Sequence, residues 1–132
     1  MTWYPRENYL KKIRDFYHET DIIKVITGVR RCGKSCLMET IANELKSSGI
    51  PSNHIYFFDL DSKDYHKITN PEQLEQLLES VPKVRGTKYL FIDEIQNVKD
   101  FELILNSFRR SNEWSIFITG SNSYLLSGEL MT

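Results

Sequence analysis

Gly28 and Gly33 stand five residues apart, and Lys34 and Ser35 follow the second glycine directly, in the stretch "ITGVRRCGKSCLM". Together Gly28-Val29-Arg30-Arg31-Cys32-Gly33-Lys34-Ser35 match the spacing G-x-x-x-x-G-K-[ST], whose chemistry is the binding of phosphate groups. Each fixed position has a physical reason. The two glycines let the backbone curl so that successive N–H groups, those of Arg30, Arg31 and Cys32 among them, point inward at an anion. A helix starting at Lys34 and running through Cys36 adds its positive end. Lys34 supplies a point charge for the β- and γ-phosphates, and Ser35 offers a hydroxyl to Mg²⁺. The side chains of Arg30 and Arg31 project outward from such a loop, either into solvent or toward a neighbouring subunit or anionic partner. Cys32, beside a helix N-terminus, is either a small space-filler or a thiol of lowered pKa. Cys36, one helical turn on, is expected to face inward.

A second cluster is "YLFIDEI". Asp93 ends an apolar run, where a carboxylate can hold a Mg²⁺ shell, and Glu94 follows it, placed to act as general base on an attacking water. The plain alternative is that both begin a solvated loop. Asp93-Glu94-Ile95-Gln96 is not D-x-x-G, and no N-K-x-D reads guanine, so the expected nucleotide is ATP. A third polar cluster, Thr119-Gly120-Ser121-Asn122-Ser123, closes another apolar run. Ser121 or Asn122 there either contacts the γ-phosphate or lytic water, with Thr119 behind, or caps the helix "SYLLSGEL". Asp59 and Asp61 reach the edge of the site or lie in solvent. Arg109 and Arg110 suit a helix C-terminus better than an arginine-finger role.

These residues need strands and helices to bring them together. Four short apolar runs, 21–28, 54–60, 88–95 and 114–121, are rich in β-branched and aromatic residues, as strands covered on both faces are. Helical spacing recurs between them. Leu37, Met38, Ile41, Ala42 and Leu45 form one stripe, stopped by Gly49 and Pro51. Leu74, Leu77, Leu78 and Val81 form a second, opened by Asn70 as N-cap, Pro71 in the first turn and Gln73 closing a capping box. Phe101, Ile104, Leu105 and Phe108 form a third, over about 100–110. An N-terminal helix over about 5–18 is expected to bury Tyr9, Leu10, Ile13, Phe16 and Tyr17. The alternation implies an α/β fold, a parallel sheet between two helical layers, with a nucleotide-binding core over about 21–132.

The 132 residues fit one domain, and at 40% hydrophobic they can build a core. With 17 basic against 18 acidic residues, bulk charge argues for neither a nucleic-acid nor a membrane partner. No run approaches the ~20 apolar residues of a membrane span, and the N-terminus lacks a signal-peptide core. Two cysteines and scattered His18, His54 and His66 give neither a disulfide framework nor zinc spacing, so reduced thiols in a cytoplasmic protein are expected.

"VITGVRRCGKS", "YLFIDEIQNVKDFE" and "FITGSNSYLLSGEL" resemble, in that order, the motifs of the predicted AAA-type P-loop ATPases of bacteria and archaea. The resemblance covers nearly the whole chain. It implies a P-loop NTPase fold of the ASCE division with sheet order 1-4-3-2. Gly28, Gly33, Lys34 and Ser35 then match the Walker A loop, Asp93 and Glu94 the Walker B pair, and Ser121-Asn122 the first sensor. Family members continue into a fifth strand and a C-terminal domain, so the chain resembles an N-terminal ATPase core truncated before that strand. Its implied partners are ATP, a homo-oligomer, or the missing C-terminal domain. The expected function is Mg²⁺-dependent ATP hydrolysis that drives motion in a longer protein. The alternative is a nucleotide-binding switch or scaffold with little hydrolysis. A P-loop kinase ranks third, for want of an arginine-rich lid or an acceptor pocket.

Overall fold

The computed structural model describes residues 13–26 and 33–120, with side chains in the first helix described from Leu37 onward. Four strands and three α-helices alternate: β1 (Lys24–Ile26), α1 (Gly33–Ser47), β2 (Ile55–Asp59), α2 (Pro71–Glu79), β3 (Lys88–Asp93), α3 (Phe101–Arg110) and β4 (Trp114–Thr119). The sheet has the order β1-β4-β3-β2, and every pairing is parallel. Every residue of the two inner strands, β3 and β4, is buried. Their near-continuous apolar character therefore reflects cover on both faces. The edge strand β2 is only partly buried.

Alternation along the strands sorts two cores. On one face Leu90, Ile92, Ile116 and Ile118 pack with Leu74 and Leu78 of α2 and Phe101 and Leu105 of α3. On the other, Tyr89, Phe91 and Phe117 pack with Leu37, Met38, Ile41, Ala42 and Leu45 of α1. There the Phe91 and Phe117 rings stack at 4.6 Å between centroids, and Phe57 extends the stack to β2 at 5.9 Å from Phe91.

Local chemistry sets the helix limits. After α1, Gly49 adopts φ +111°, and the Ile50 and Gly49 N–H groups return to the Leu45 and Lys46 carbonyls. That pair of bonds is a Schellman stop, which favours a residue without Cβ. At α2 the Asn70 side chain accepts the Gln73 N–H at 2.9 Å, as expected of an N-cap. The Gln73 amide oxygen reaches the Thr69 N–H at 2.8 Å, one residue before the position a capping box uses.

The expected N-terminal helix falls mostly outside the described residues. Its described end is a 3₁₀ turn, Arg14–Phe16. Ile13 and Tyr17 are buried as expected, but Phe16 is 40% exposed, which corrects its assignment to the core. In the tighter turn Phe16 points away from the face that Ile13 and Tyr17 share. Arg14 and Tyr17 clasp α1 through Glu44: Arg14 donates from Nε at 3.0 Å and from Nη2 at 2.7 Å, and Tyr17 Oη donates at 2.8 Å.

Candidate functional site

Parallel pairing brings the polar ends of β3 and β4 together. Ile92 is in register with Ile118, so Asp93 and Thr119, the next residues, emerge side by side. Asp93 is 5% exposed and Thr119 fully buried. The Thr119 hydroxyl donates to Asp93 Oδ1. The Thr119 hydroxyl oxygen also accepts the Glu94 backbone N–H at 3.2 Å. A hydroxyl carries one donor and two acceptor positions, so one side chain serves both acidic residues.

Glu94 departs from the strand abruptly. Its φ of 61° and ψ of 51° are left-handed, a conformation that costs a non-glycine residue about 1–2 kcal/mol. A 3₁₀ turn, Ile95–Asn97, follows. Ile95 anchors it in the core, and the Asn97 amide donates to the Leu60 carbonyl at 3.4 Å. Gln96 Nε2 donates to Glu94 Oε1 at 2.7 Å. On the β2 side, Asp59 is in register with Asp93, and the Leu60 N–H bonds the Asp93 carbonyl at 3.1 Å. Asp59 Oδ1 accepts the Asp61 N–H at 3.0 Å, a turn role, and Asp61 is exposed.

β1 ends at Ile26, whose register partner is Thr119, and α1 starts at Gly33. Of the phosphate-binding candidates, Gly28, Arg30, Arg31 and Cys32 lie outside the described residues, as do Ser121 and Asn122 at the far end. Gly33, Lys34, Ser35 and Cys36 form the first turn of α1. Asp93 and Glu94 are thus brought to the carboxyl end of the sheet, where open parallel sheets bind their ligands. Arg109 is directed elsewhere: its guanidinium donates to Asn106 Oδ1 at 3.2 Å and to the Asp21 carbonyl at 3.3 Å.

A groove of about 1020 Å³ lies at the opposite end, between α2, α3 and residues 81–87. Lys83, Arg85, Glu75, Glu79 and Glu113 line it beside Trp114. The carboxyl end is the better candidate, because there, alone among the described residues, a buried carboxylate and the backbone of a second acid share one buried hydroxyl.

A family model described as an AAA domain matches residues 20–132. The chain belongs to this AAA family. An uncharacterized protein of Haemophilus influenzae is 43% identical over 128 residues, covering 96% of this chain and 32% of the relative. The uncharacterized protein MJ1544 of Methanocaldococcus jannaschii is 37% identical over 111 residues, 83% of this chain and 23% of its own. This AAA domain thus spans a third or less of the relatives it matches. No solved structure matches it significantly. Membership makes the chain a P-loop-type nucleotide-binding module, in keeping with the all-parallel 1-4-3-2 sheet. Among the described residues, no helix is long and apolar enough to cross a membrane.

Sequence reasoning left two residues of the cluster without a role. Thr119 was placed only behind Ser121 and Asn122, and Gln96 only marked the lack of a D-x-x-G motif. Thr119 had a readable signal: "KYLFID" and "WSIFIT" are apolar runs of equal length, each ending in one polar residue. Gln96 had none, because its contact depends on the left-handed turn at Glu94.

Proposed function

We propose that this AAA domain binds Mg²⁺·ATP and that the full-length protein hydrolyses it to drive a conformational change. The observation that carries the reading is the Asp93–Thr119–Glu94 cluster at the carboxyl end of β3 and β4, next to the strand that leads into the glycine-rich stretch. In this reading the backbone of Gly28 to Cys36 and the Lys34 ammonium hold the phosphates. Ser121 or Asn122 contacts the γ-phosphate. A carboxylate and a hydroxyl are hard oxygen donors, and Mg²⁺ bound with a nucleotide needs only one or two protein ligands, so Asp93 and Ser35 fit it. Mg²⁺ there would neutralise charge on the β- and γ-phosphates. Thr119 fixes the Asp93 carboxylate, and Glu94 takes the proton of the attacking water.

Thermal unfolding and phosphate release in the full-length protein test this together. Mg²⁺·ATP should raise the melting temperature, because a ligand selective for the folded state stabilises it. Lys34→Ala should lose most of that rise; an undiminished rise would overturn the phosphate assignment. Glu94→Gln should keep ATP affinity and lower turnover by about 10²–10⁴-fold, the usual size of a general-base contribution. ATP binding without turnover in the wild type would favour the nucleotide-dependent switch.

A further inference from the structure

Gln96 spends its hydrogen bonds in a way that packing does not explain. Its Nε2 lies 2.7 Å from Glu94 Oε1. A carboxylate can only accept, so the amide must present its NH₂ group there. That leaves Gln96 Oε1 buried with no hydrogen-bond partner among the described residues. Turning the amide over would bring two acceptors together, so the orphaned oxygen is the direct consequence of serving Glu94. The backbone on both sides is pinned. Ile95 is fully buried, and the Asn97 N–H bonds the Glu94 carbonyl at 3.1 Å. A leucine or methionine would fill the same space and orphan nothing.

We propose that Gln96 is the positioning residue for the Glu94 carboxylate: its amide pins one carboxylate oxygen and so fixes the plane in which the carboxylate meets the attacking water. The left-handed backbone at Glu94 belongs to the same device, since it turns the chain so that side chains two residues apart meet. The inference rests on Glu94 being the general base. Its effect falls on the rate of the chemical step, because orientation of a base contributes to catalysis without contributing to nucleotide affinity.

The test measures kcat, KM, nucleotide affinity and melting temperature in the full-length protein for Gln96→Met, Glu94→Gln and the double variant. Gln96→Met keeps the length and removes both the donor and the orphaned acceptor. It should lower kcat about tenfold, leave KM and affinity unchanged, and leave the melting temperature equal or higher. Added to Glu94→Gln, it should have no further effect on turnover. A structural role would instead lower the melting temperature with kcat preserved, and would overturn the proposal. So would faster turnover, which would make the amide a restraint on Glu94. If Glu94→Gln alone turns over at the wild-type rate, the general-base assignment fails and this inference with it; if Glu94→Gln is slow and Gln96→Met is not, only this inference fails. A readout independent of turnover is the Gln96 side-chain amide in ¹⁵N–¹H spectra. Its protons should exchange slowly in the wild type and at the free-amide rate in Glu94→Ala, and fast exchange in the wild type would overturn the contact.

Discussion

Among the described residues of this AAA domain, the buried polar groups divide by the end of the sheet they occupy. Asp93 and Thr119 close their strands, whereas Lys24 and Lys88 open theirs and Ser115 stands second in β4. The cations at the amino end each meet oxygen acceptors and an aromatic ring. Lys24 Nζ donates to the Glu19 carbonyl and to Ser115 Oγ, the latter at 2.8 Å, and lies 4.7 Å from the centre of the Phe117 ring. Ser115 in turn donates to the Tyr17 carbonyl at 2.6 Å. Lys88 sits 4.9 Å from the Trp114 ring centre and 3.4 Å from Glu113 Oε1. The carboxyl end is assembled differently: one hydroxyl shared by two residues, a left-handed glutamate, and an amide with an orphaned oxygen. Groups at the first end are buried cations with polar and aromatic neighbours. Groups at the second are held in particular orientations with backbone strain and an unmet hydrogen bond, the pattern that accompanies sites of function.

Three substitutions sharpen or break that contrast. The largest effect is expected for Thr119→Val, which keeps shape and removes the oxygen that serves Asp93 and Glu94. It should destabilise the fold by about 2–3 kcal/mol, read as a lower urea midpoint, because a buried carboxylate loses a charge-assisted bond. A midpoint within error of wild type would show that Thr119 does not organise the carboxyl end.

The next concerns Lys24. Burial pushes its pKa down to about 7, and the nearby Glu19 charge pulls it partly back. The unfolded chain therefore binds more protons than the folded one between about pH 7 and the ordinary lysine range, and stability should rise with pH across that window. Between pH 7 and 9 the rise should be about 2 kcal/mol. Above that window Tyr17 and Tyr89, whose pKa values burial raises, act in the opposite direction. Lys24→Met should flatten the slope between pH 7 and 9 in denaturation curves. An unchanged slope would mean that the Glu19 carbonyl, Ser115 and Phe117 keep the ammonium charged, and that the amino end is better solvated than burial implies.

The smallest effect is expected for Glu113→Gln. The Glu113 side chain is 64% exposed, and a partner so open to solvent contributes less than about 0.5 kcal/mol. A larger loss would mean that Lys88 depends on its carboxylate rather than on the Trp114 ring.

The sheet was legible because its signals are local and repeated. Strand runs, helical stripes and the Asn70 cap each depend on a few adjacent residues, and the resemblance supplied the strand order. The site was legible only as two separate patterns. Asp93 and Glu94 stood out by chemistry, but joining them to Thr119 required the β3–β4 register, and joining them to Gln96 required a turn disfavoured for glutamate. Phe16 was misread for a related reason: helical spacing predicts its direction only where the chain is an α-helix, and a 3₁₀ turn rotates each residue further.

The clasp at Glu44 bears on where this module begins. The family match starts at residue 20, yet Ile13 and Tyr17 share a core with α1 and Phe117. The Arg14 guanidinium holds the Glu44 carboxyl below its usual range, while burial and Glu44 push the Tyr17 hydroxyl up. The His18 ring meets the Tyr89 hydroxyl at 2.6 Å. A protein trimmed to the recognisable pattern would lose a wedge of its own interior. The interior of this domain thus reaches back beyond the residue at which the family match starts.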